Sequence, residues 1–207
     1  MRKGTLKGST VTVPTDLQEE LAAAWADLEK AQQRLKEVRR RVPSEPVQDY
    51  RLHGPDGAVR LSELFGDMPD LILIHNMGTG CPYCTMWADG FNGVLHHLED
   101  RSAFVVASPD SVETQQEFRR NRGWRFRMYS AQGSTLFKDM GFESDEEHYG
   151  SSAMPGVSVF HKSDDGSIVR VASDFLGPGD SYCSVWHLFD LLRDGVGDWE
   201  AKFDYST

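Results

Sequence analysis

Residues 70–84 read DLILIHNMGTGCPYC, and this stretch decides the fold. Residues 70–75 contain the continuous apolar run Leu71 to Ile74, which is typical of a strand buried on both faces. Cys81 and Cys84 follow after a short loop, and apolar residues then recur at helical spacing as far as Leu98. The sequence therefore predicts a buried strand, a loop and the start of a helix around two cysteines.

Strand and helix signals alternate on both sides of this stretch. They predict a hairpin over residues 47–61, a strand at 103–107, a helix from about 111 to 122, a strand at 127–131, a polar loop at 144–152, a hairpin over 157–172 and a last helix at 182–193. Such an order requires right-handed crossovers between parallel strands. We expect an α/β fold with a central mixed sheet flanked by helices, in the order of the thioredoxin fold with an insertion.

Four segments are expected along the chain. Residues 1–14 predict a disordered N-terminus, 15–42 a long helix, 43–195 the thioredoxin-like domain and 196–207 a C-terminal tail. The long helix carries a heptad seam made of Leu17, Leu21, Ala24, Leu28, Ala31, Leu35 and Val38. Such a seam fits two arrangements: docking on the chain's own domain, or pairing with a second copy in a homodimer.

Charge and hydropathy exclude several partners. The net charge of −10, from 32 acidic and 22 basic residues, repels phosphate backbones, so nucleic acid is not expected as a partner. The longest apolar run, Leu71 to Ile74, is far too short to span a membrane. The basic start Met1-Arg2-Lys3 is followed by polar residues and not by the apolar core of a secretory signal. A cytoplasmic protein without membrane contact is therefore expected.

The spacing of Cys81 and Cys84 predicts dithiol redox chemistry in a reducing compartment. The first cysteine lies at a helix N-terminus, where free N–H groups and the helix dipole stabilise a thiolate. Pro82 suits the first helical turn, because its missing N–H would have no partner there. We expect Cys81 to attack a disulfide and Cys84 to resolve the mixed disulfide, without a cofactor. The expected partners are a disulfide-containing substrate and an unknown electron donor.

Two other uses of the cysteine pair remain open. The same spacing occurs in zinc sites, but a structural zinc site needs four ligands, and no second Cys-x-x-Cys or matching histidine pair is present. No metal is therefore expected. Alternatively, the two cysteines are buried structural thiols, which is also the expectation for Cys183 in the last helix.

Three runs of residues together resemble a known family. They are GCPYCTMWADGFNG at residues 80–93, GWRFRMYS at 123–130 and PGVSVF at 155–160. They resemble a largely bacterial, thioredoxin-like family of unknown function whose members are described as predicted dithiol–disulfide oxidoreductases. The resemblance covers roughly residues 15–195 and implies a thioredoxin fold and dithiol redox chemistry, without a settled substrate.

Several residues around the dithiol gain expected roles from this fold. In thioredoxin-like folds the proline corresponding to Pro155 is cis and faces the dithiol, and the backbone of the preceding residue, here Met154, pairs with a bound peptide. His75 stands where thioredoxins carry a buried aspartate. It is either a histidine satisfied at a strand end or a proton acceptor for Cys84 near neutral pH. Trp87 is expected in the core.

Three alternative functions follow from the same residues. Tyr83 completes the Cys-Pro-Tyr-Cys sequence of glutaredoxins, although the groups that hold glutathione are not recognisable. Residues 108–111 resemble peroxiredoxin-like chains, but Gly78 stands where the peroxidatic motif has its threonine. The third alternative is a non-catalytic binding or dimerisation module whose functional part is the heptad helix.

Overall fold

A computed structural model describes residues 14–205, and the chain separates into two units, one ending at Val42 and the other beginning at Pro43. The first unit contains helix α1, Thr15–Arg39, whose residues are all exposed. The helix ends three residues before the predicted limit of 42. Apart from Pro14, the segment expected to be disordered lies outside the described residues.

The second unit alternates strands and helices. Its elements in chain order are β1 Glu45–Pro46, β2 Arg51–Gly54, β3 Gly57–Arg60, a short 3-10 helix Leu61–Glu63, β4 Asp70–His75, α2 Pro82–Arg101, β5 Ala103–Ser108, α3 Val112–Arg122, β6 Arg127–Ser130, α4 Leu136–Asp139, β7 Glu143–His148, β8 Ser151–Ala153, β9 Gly156–Lys162, β10 Ile168–Phe175 and α5 Ser184–Phe189.

Strand β4 lies near the middle of an eight-stranded mixed sheet with the order β1-β10-β9-β4-β5-β6-β2-β3. It pairs in parallel with β5, where Leu73 is opposite Val105, and antiparallel with β9, where Leu73 is opposite Ser158. Strands β7 and β8 form a separate two-stranded hairpin. The predicted α/β fold with a central mixed sheet and an added N-terminal helix is confirmed.

The side chains of β4 alternate between two apolar clusters, which explains the apolar run. Leu71 and Leu73 are fully buried among the β2, β5 and α4 residues on one face. Ile74 packs on the other face with the α2 and β5 side chains, including Trp87 and Phe104. Burying one such aliphatic side chain contributes about 1.5–3 kcal/mol, so a strand buried on both faces is strongly fixed in place.

Two parts of the second unit differ from the sequence expectations. The segment at 144–152, expected as a polar loop, forms most of the β7–β8 hairpin. The predicted last helix is reduced to α5, and the chain beyond residue 196 returns to the domain, where the Trp199 ring meets that of Phe189 at 4.9 Å. Aromatic residues near the C-terminus give this segment enough apolar surface to pack.

A substitution at Gly156 tests the packing of Phe142 beside the central strand β4. The Gly156 Cα pairs with His75, and a methyl group at this position would overlap the Phe142 ring. Gly156→Ala is therefore expected to lower the free energy of unfolding by about 1–3 kcal/mol, which is the usual cost of overpacking.

Gly90→Ala is the matched control, because exposed Gly90 lies within α2 with open space around it. It should stabilise the protein by about 0.5–1 kcal/mol. Urea unfolding midpoints measure both changes, and equal effects of the two substitutions would contradict this packing.

Candidate active site

Cys81 lies at the N-terminus of α2, as the sequence predicts. It is the N-cap residue, with extended backbone angles of φ −99° and ψ 110°, and Pro82 is the first helical residue. The Cys81 sulfur accepts a hydrogen bond from the backbone N–H of Cys84 at 3.1 Å. The Cys81 carbonyl accepts from the Thr85 hydroxyl at 3.0 Å. A sulfur in the place of a capping oxygen satisfies one of the free N–H groups of the helix end.

The loop between β4 and Cys81 is held by two side-chain acceptors. The Asn76 side-chain oxygen accepts from Gly78 N–H at 2.8 Å, and the Asp110 carboxylate accepts from Thr79 N–H at 2.8 Å. Gly78 has φ +112°, and a Cβ there would come within 2.9 Å of the Asp110 carboxylate. Burial raises the pKa of Asp110.

Asp110 was not predicted as a site residue. The only sequence signal was its place in residues 108–111, directly after a buried strand. Parallel pairing of β4 and β5 brings the carboxyl ends of both strands to the same edge of the sheet, which places Asp110 beside the loop.

The pKa values of the two cysteines are shifted in opposite directions. The hydrogen bond from the Cys84 thiol, with further N–H donors, lowers the pKa of Cys81 against the opposing effect of burial. The same hydrogen bond, burial and the nearby charge of Cys81 raise the pKa of Cys84 well above its ordinary value. The arrangement therefore favours a thiolate on Cys81 and a protonated thiol on Cys84.

Cys81 borders a cleft of about 330 Å³. Both cysteines are buried, each with 2% of its surface exposed. The cleft is lined by Met77, Cys81, Tyr83, Trp87, His148, Tyr149, Met154, Pro155, Leu176, Gly177 and Pro178. Trp87 lies in the apolar core and also borders this cleft, and the Tyr83 ring lies 6.2 Å from that of Trp186.

The tip of the β7–β8 hairpin closes one side of the cleft. It supplies His148 and Tyr149, which were not among the predicted site residues. A Cβ at Gly80 would approach the Tyr149 carbonyl oxygen to 2.6 Å, so the backbone of the tip lies directly against the residue before Cys81. The aromatic residue before Gly150 in an otherwise polar segment was the available sequence signal.

His75 is completely buried, and its Nε2 lies 2.9 Å from the Ser158 hydroxyl. Its ring stacks on Phe142 at 4.1 Å. Burial, with a smaller effect of the Arg170 charge, lowers the pKa of His75 to about 3. The imidazole is therefore neutral near pH 7 and has no tendency to take up the Cys84 proton there. Of the two sequence interpretations, a structural histidine at the strand end fits better. Its Nε2 has a serine side chain as partner and not the backbone, and within the described residues its buried Nδ1 has no hydrogen-bond partner.

The expectation of a cis proline is wrong, because the Met154–Pro155 peptide bond is trans. The trans form is the lower-energy isomer. The backbone hydrogen bonds of Met154 and Pro155 form with this trans bond in place. Met154 N–H donates to the Phe142 carbonyl at 2.8 Å, and the Pro155 carbonyl accepts from Leu176 N–H at 3.1 Å. Pro155 and Cys81 both line the cleft.

Cys183 lies apart from the pair. It caps α5, is buried in the apolar cluster that contains Trp186, and burial raises the pKa of its thiol. Within residues 14–205, no three His, Cys, Asp or Glu side chains are grouped so that they could hold a metal ion. No helix in the same range is both long and apolar enough to cross a membrane.

Replacing Cys84 tests the origin of the Cys81 thiolate. Cys84→Ala removes the side-chain donor and should raise the pKa of Cys81, because the thiolate loses its largest stabilising contact. Cys84→Ser keeps a donor and should leave the Cys81 pKa closer to its original value. The ultraviolet absorbance of the thiolate against pH, measured in a Cys183→Ala background, gives both pKa values. If alanine and serine have the same effect, the side-chain hydrogen bond does not control this pKa.

Comparisons with known proteins agree with the fold. A peroxidoxin, BcpB, from Mycobacterium tuberculosis is similar at 24% identity over 68% of this chain and 88% of that chain, with a TM-score of 0.51. Reduced Prx3 from Vibrio vulnificus, solved in complex with hydrogen peroxide, is similar at 16% identity over 66% and 86% of the two chains, with a TM-score of 0.50. No curated protein matches the chain significantly.

These structural likenesses show the fold alone. The family comparison is more specific, because one family matches residues 15–204 and so includes both the dithiol and the cleft. On that match, the chain belongs to the family described as bacterial protein of unknown function (DUF899).

Proposed function

We propose that the chain is a thiol–disulfide oxidoreductase in which Cys81 is the nucleophile and Cys84 the resolving thiol. One observation carries the proposal: the Cys81 sulfur caps α2 and accepts the Cys84 N–H, while the two thiols have opposite pKa shifts. A thiolate is the nucleophile in disulfide exchange, and its partner must remain protonated until the second step.

The reaction balances in two steps. The Cys81 thiolate attacks one sulfur of a substrate disulfide, forms a mixed disulfide and releases the other half as a thiolate. Cys84 then loses its proton and attacks the Cys81 sulfur, which releases the second half of the substrate. The protein dithiol is oxidised by two electrons and the substrate disulfide is reduced to two thiols. An electron donor that carries thiols reverses these steps on the oxidised pair.

The proton of Cys84 passes to a substrate thiolate and does not need His75. Once Cys81 has formed the mixed disulfide, its negative charge disappears, and with it one of the causes that raise the Cys84 pKa. The departing substrate thiolate is then the base that accepts the Cys84 proton. His75 remains neutral, and its role is to fill the core beneath the end of β4.

We also propose that the protein works in the cytoplasm, where thiols are kept reduced. All three cysteines are free, which fits that compartment. A donor of the glutathione type remains an alternative that follows from the Cys-Pro-Tyr-Cys sequence.

Trapping the mixed disulfide tests the nucleophile. Cys84→Ser, in a Cys183→Ala background, should accumulate one covalently bound half of a disulfide on Cys81, because the resolving step is lost. The original pair should instead pass quickly to the intramolecular disulfide. Mass spectrometry of the intact protein measures the adduct, and Cys81→Ser with Cys84 retained is the matched control. An adduct that forms equally well on Cys84 in that control would contradict the assignment.

Peroxide reduction is the second candidate. The similar structures are described as a peroxidoxin and as Prx3 in complex with hydrogen peroxide, and a thiolate of lowered pKa also attacks a peroxide oxygen. Against it, Gly78 stands where the peroxidatic motif has a threonine, and the nearby Thr79 N–H is bound to Asp110. Peroxide consumption faster than disulfide reduction by the same reduced protein would favour this candidate.

We propose in addition that α1 pairs with α1 of a second copy. The seam residues Leu21 and Leu28 are 60% and 46% exposed, and small alanines alternate with them. Antiparallel pairing about the middle of the helix sets Glu20 of one copy opposite Arg34 of the other, whereas parallel pairing sets Arg34 near Arg39. Charge therefore favours the antiparallel arrangement.

Leu28→Glu tests this pairing in the full chain. A charge in the apolar seam should convert a dimer to a monomer, whereas Ala26→Glu places the same charge outside the seam and should not. Sedimentation measures the mass of each variant. Glu20→Arg should also weaken the dimer and Glu20→Arg with Arg34→Glu should restore it. A full chain that is already monomeric at high concentration would refute the pairing.

A further inference from the structure

Cys81 offers little exposed surface to a folded partner. The sulfur belongs to a residue with 2% of its surface exposed, which borders a cleft of about 330 Å³. That volume is at the lower end of the range for small-molecule sites. The backbone of Tyr149 lies against Gly80 on one side, and Leu176 and Pro178 line the cleft on another.

The backbone beside the cleft has few free groups for an extended peptide. Met154 N–H, the group that would pair with a substrate peptide in a thioredoxin-like site, already donates to the Phe142 carbonyl. The Pro155 carbonyl is taken by Leu176 N–H. Strand β9, which follows, is paired on both edges, with His75 and Phe175 opposite its first residue Gly156. A peptide would have to break these bonds in order to add a strand.

The hairpin whose tip lines the cleft is acidic. The exposed carboxylates of β7 are those of Glu143, Asp145, Glu146 and Glu147, and within the described residues no ion pair joins them to a lysine or arginine. Glu147 is two residues from Tyr149, so their Cα atoms are at most about 7 Å apart. This is within the Debye length of about 8 Å at physiological salt.

The electrostatic surroundings of Tyr149 agree with this picture. Burial, then the charges of Cys81, Tyr83 and Glu200, raise the pKa of Tyr149. Glu200 therefore adds a further negative charge near Tyr149. No cation is among the groups that shift the pKa of Tyr149.

We propose that the substrate is a small organic disulfide without negative charge, either neutral or cationic, that enters the cleft beneath the hairpin tip. This inference rests on the proposed function and names its substrate class. The lining beside the sulfur is mostly apolar, which suits the carbon groups of such a disulfide. The acidic hairpin repels anionic disulfides and attracts cationic ones.

The step is the two-electron exchange already written. The small disulfide RSSR gives Cys81–S–S–R and one RS⁻, and the attack of Cys84 releases the second RS⁻. Two protons, one from Cys84 and one from solvent, complete two RSH molecules. The small size of each half matters because both must leave through the same cleft.

Four probe disulfides test the inference on the reduced full chain. They are 2-hydroxyethyl disulfide, which is neutral, cystamine, which is cationic, oxidised glutathione, which is anionic, and insulin, which is a protein. Each rate of Cys81–Cys84 oxidation is divided by the rate at which the same disulfide oxidises dithiothreitol, so that leaving-group differences cancel. The first two probes are expected to react about tenfold or more faster than oxidised glutathione, and this advantage should shrink at high salt.

A charge reversal on the hairpin isolates the electrostatic part. Glu146→Lys with Glu147→Lys should raise the relative rate of oxidised glutathione about fivefold and lower that of cystamine, because the local field changes sign. The matched control is Glu99→Lys with Asp100→Lys, the same change in net charge on exposed residues of α2. These positions are about 27 Å along the helix from Cys81, so the control should leave the ratios unchanged.

The hairpin tip isolates the steric part. Tyr149 has φ +54°, a conformation that glycine adopts freely, so Tyr149→Gly removes the ring without adding backbone strain. The ratio of insulin reduction to 2-hydroxyethyl disulfide reduction should rise severalfold. An unchanged ratio means that the tip does not limit access and overturns this part of the inference.

The outcomes separate the inference from the proposed function. If the reduced protein reacts with none of the four disulfides, the oxidoreductase proposal fails. If insulin or oxidised glutathione reacts as fast as the neutral probe, the dithiol chemistry stands and the substrate class is wrong.

Discussion

The burial of β4 on both faces is the constraint on which the rest of the structure depends. Leu71 and Leu73 enter one apolar cluster and Ile74 the other, while β5 and β9 occupy both edges. A strand that is packed on both faces and paired on both edges is held rigidly up to its end. The loop to Cys81 therefore starts from a fixed point. Asp110, two residues after β5, accepts a hydrogen bond from Thr79 N–H in this loop.

The difference between the two cysteines follows from this placement. Cys81 and Cys84 have the same side chain, but only Cys81 stands outside the first turn of α2, where its sulfur receives an N–H. Cys84 lies within the helix, where burial and the neighbouring thiolate oppose its ionisation. The helix end thus shifts the pKa values of two identical groups in opposite directions, which is the basis of the proposed division into nucleophile and resolving thiol.

The insertion that carries β7 and β8 changes how this chemistry meets its substrate. In an open thioredoxin-like site the dithiol lies at an exposed edge of the fold. Here the hairpin tip at Tyr149 covers part of that edge. The Phe142 carbonyl, at the base of the insertion, accepts the hydrogen bond of Met154 N–H. The same segment therefore lines the cleft and engages a backbone donor, which is the basis on which we propose selection by size and charge.

The sequence by itself predicted the features that depend on short-range patterns. The apolar run Leu71 to Ile74 predicts β4 because two-sided burial requires apolar residues on both faces of the strand. The spacing of Cys81 and Cys84 after that run predicts their place at a helix start, because proline at the first turn and helical periodicity beyond it are local signals. The seam of residues 15–42 is visible for the same reason.

The tertiary structure alone decided the features that depend on distant partners. The neutral state of His75 comes from burial beneath Phe142, and the position of Asp110 comes from the pairing of β4 with β5. The contact of the hairpin tip with Gly80, next to Cys81, is likewise an outcome of packing. An acidic, polar segment has no periodic apolar signal, so its strand pairing cannot be predicted from its own residues.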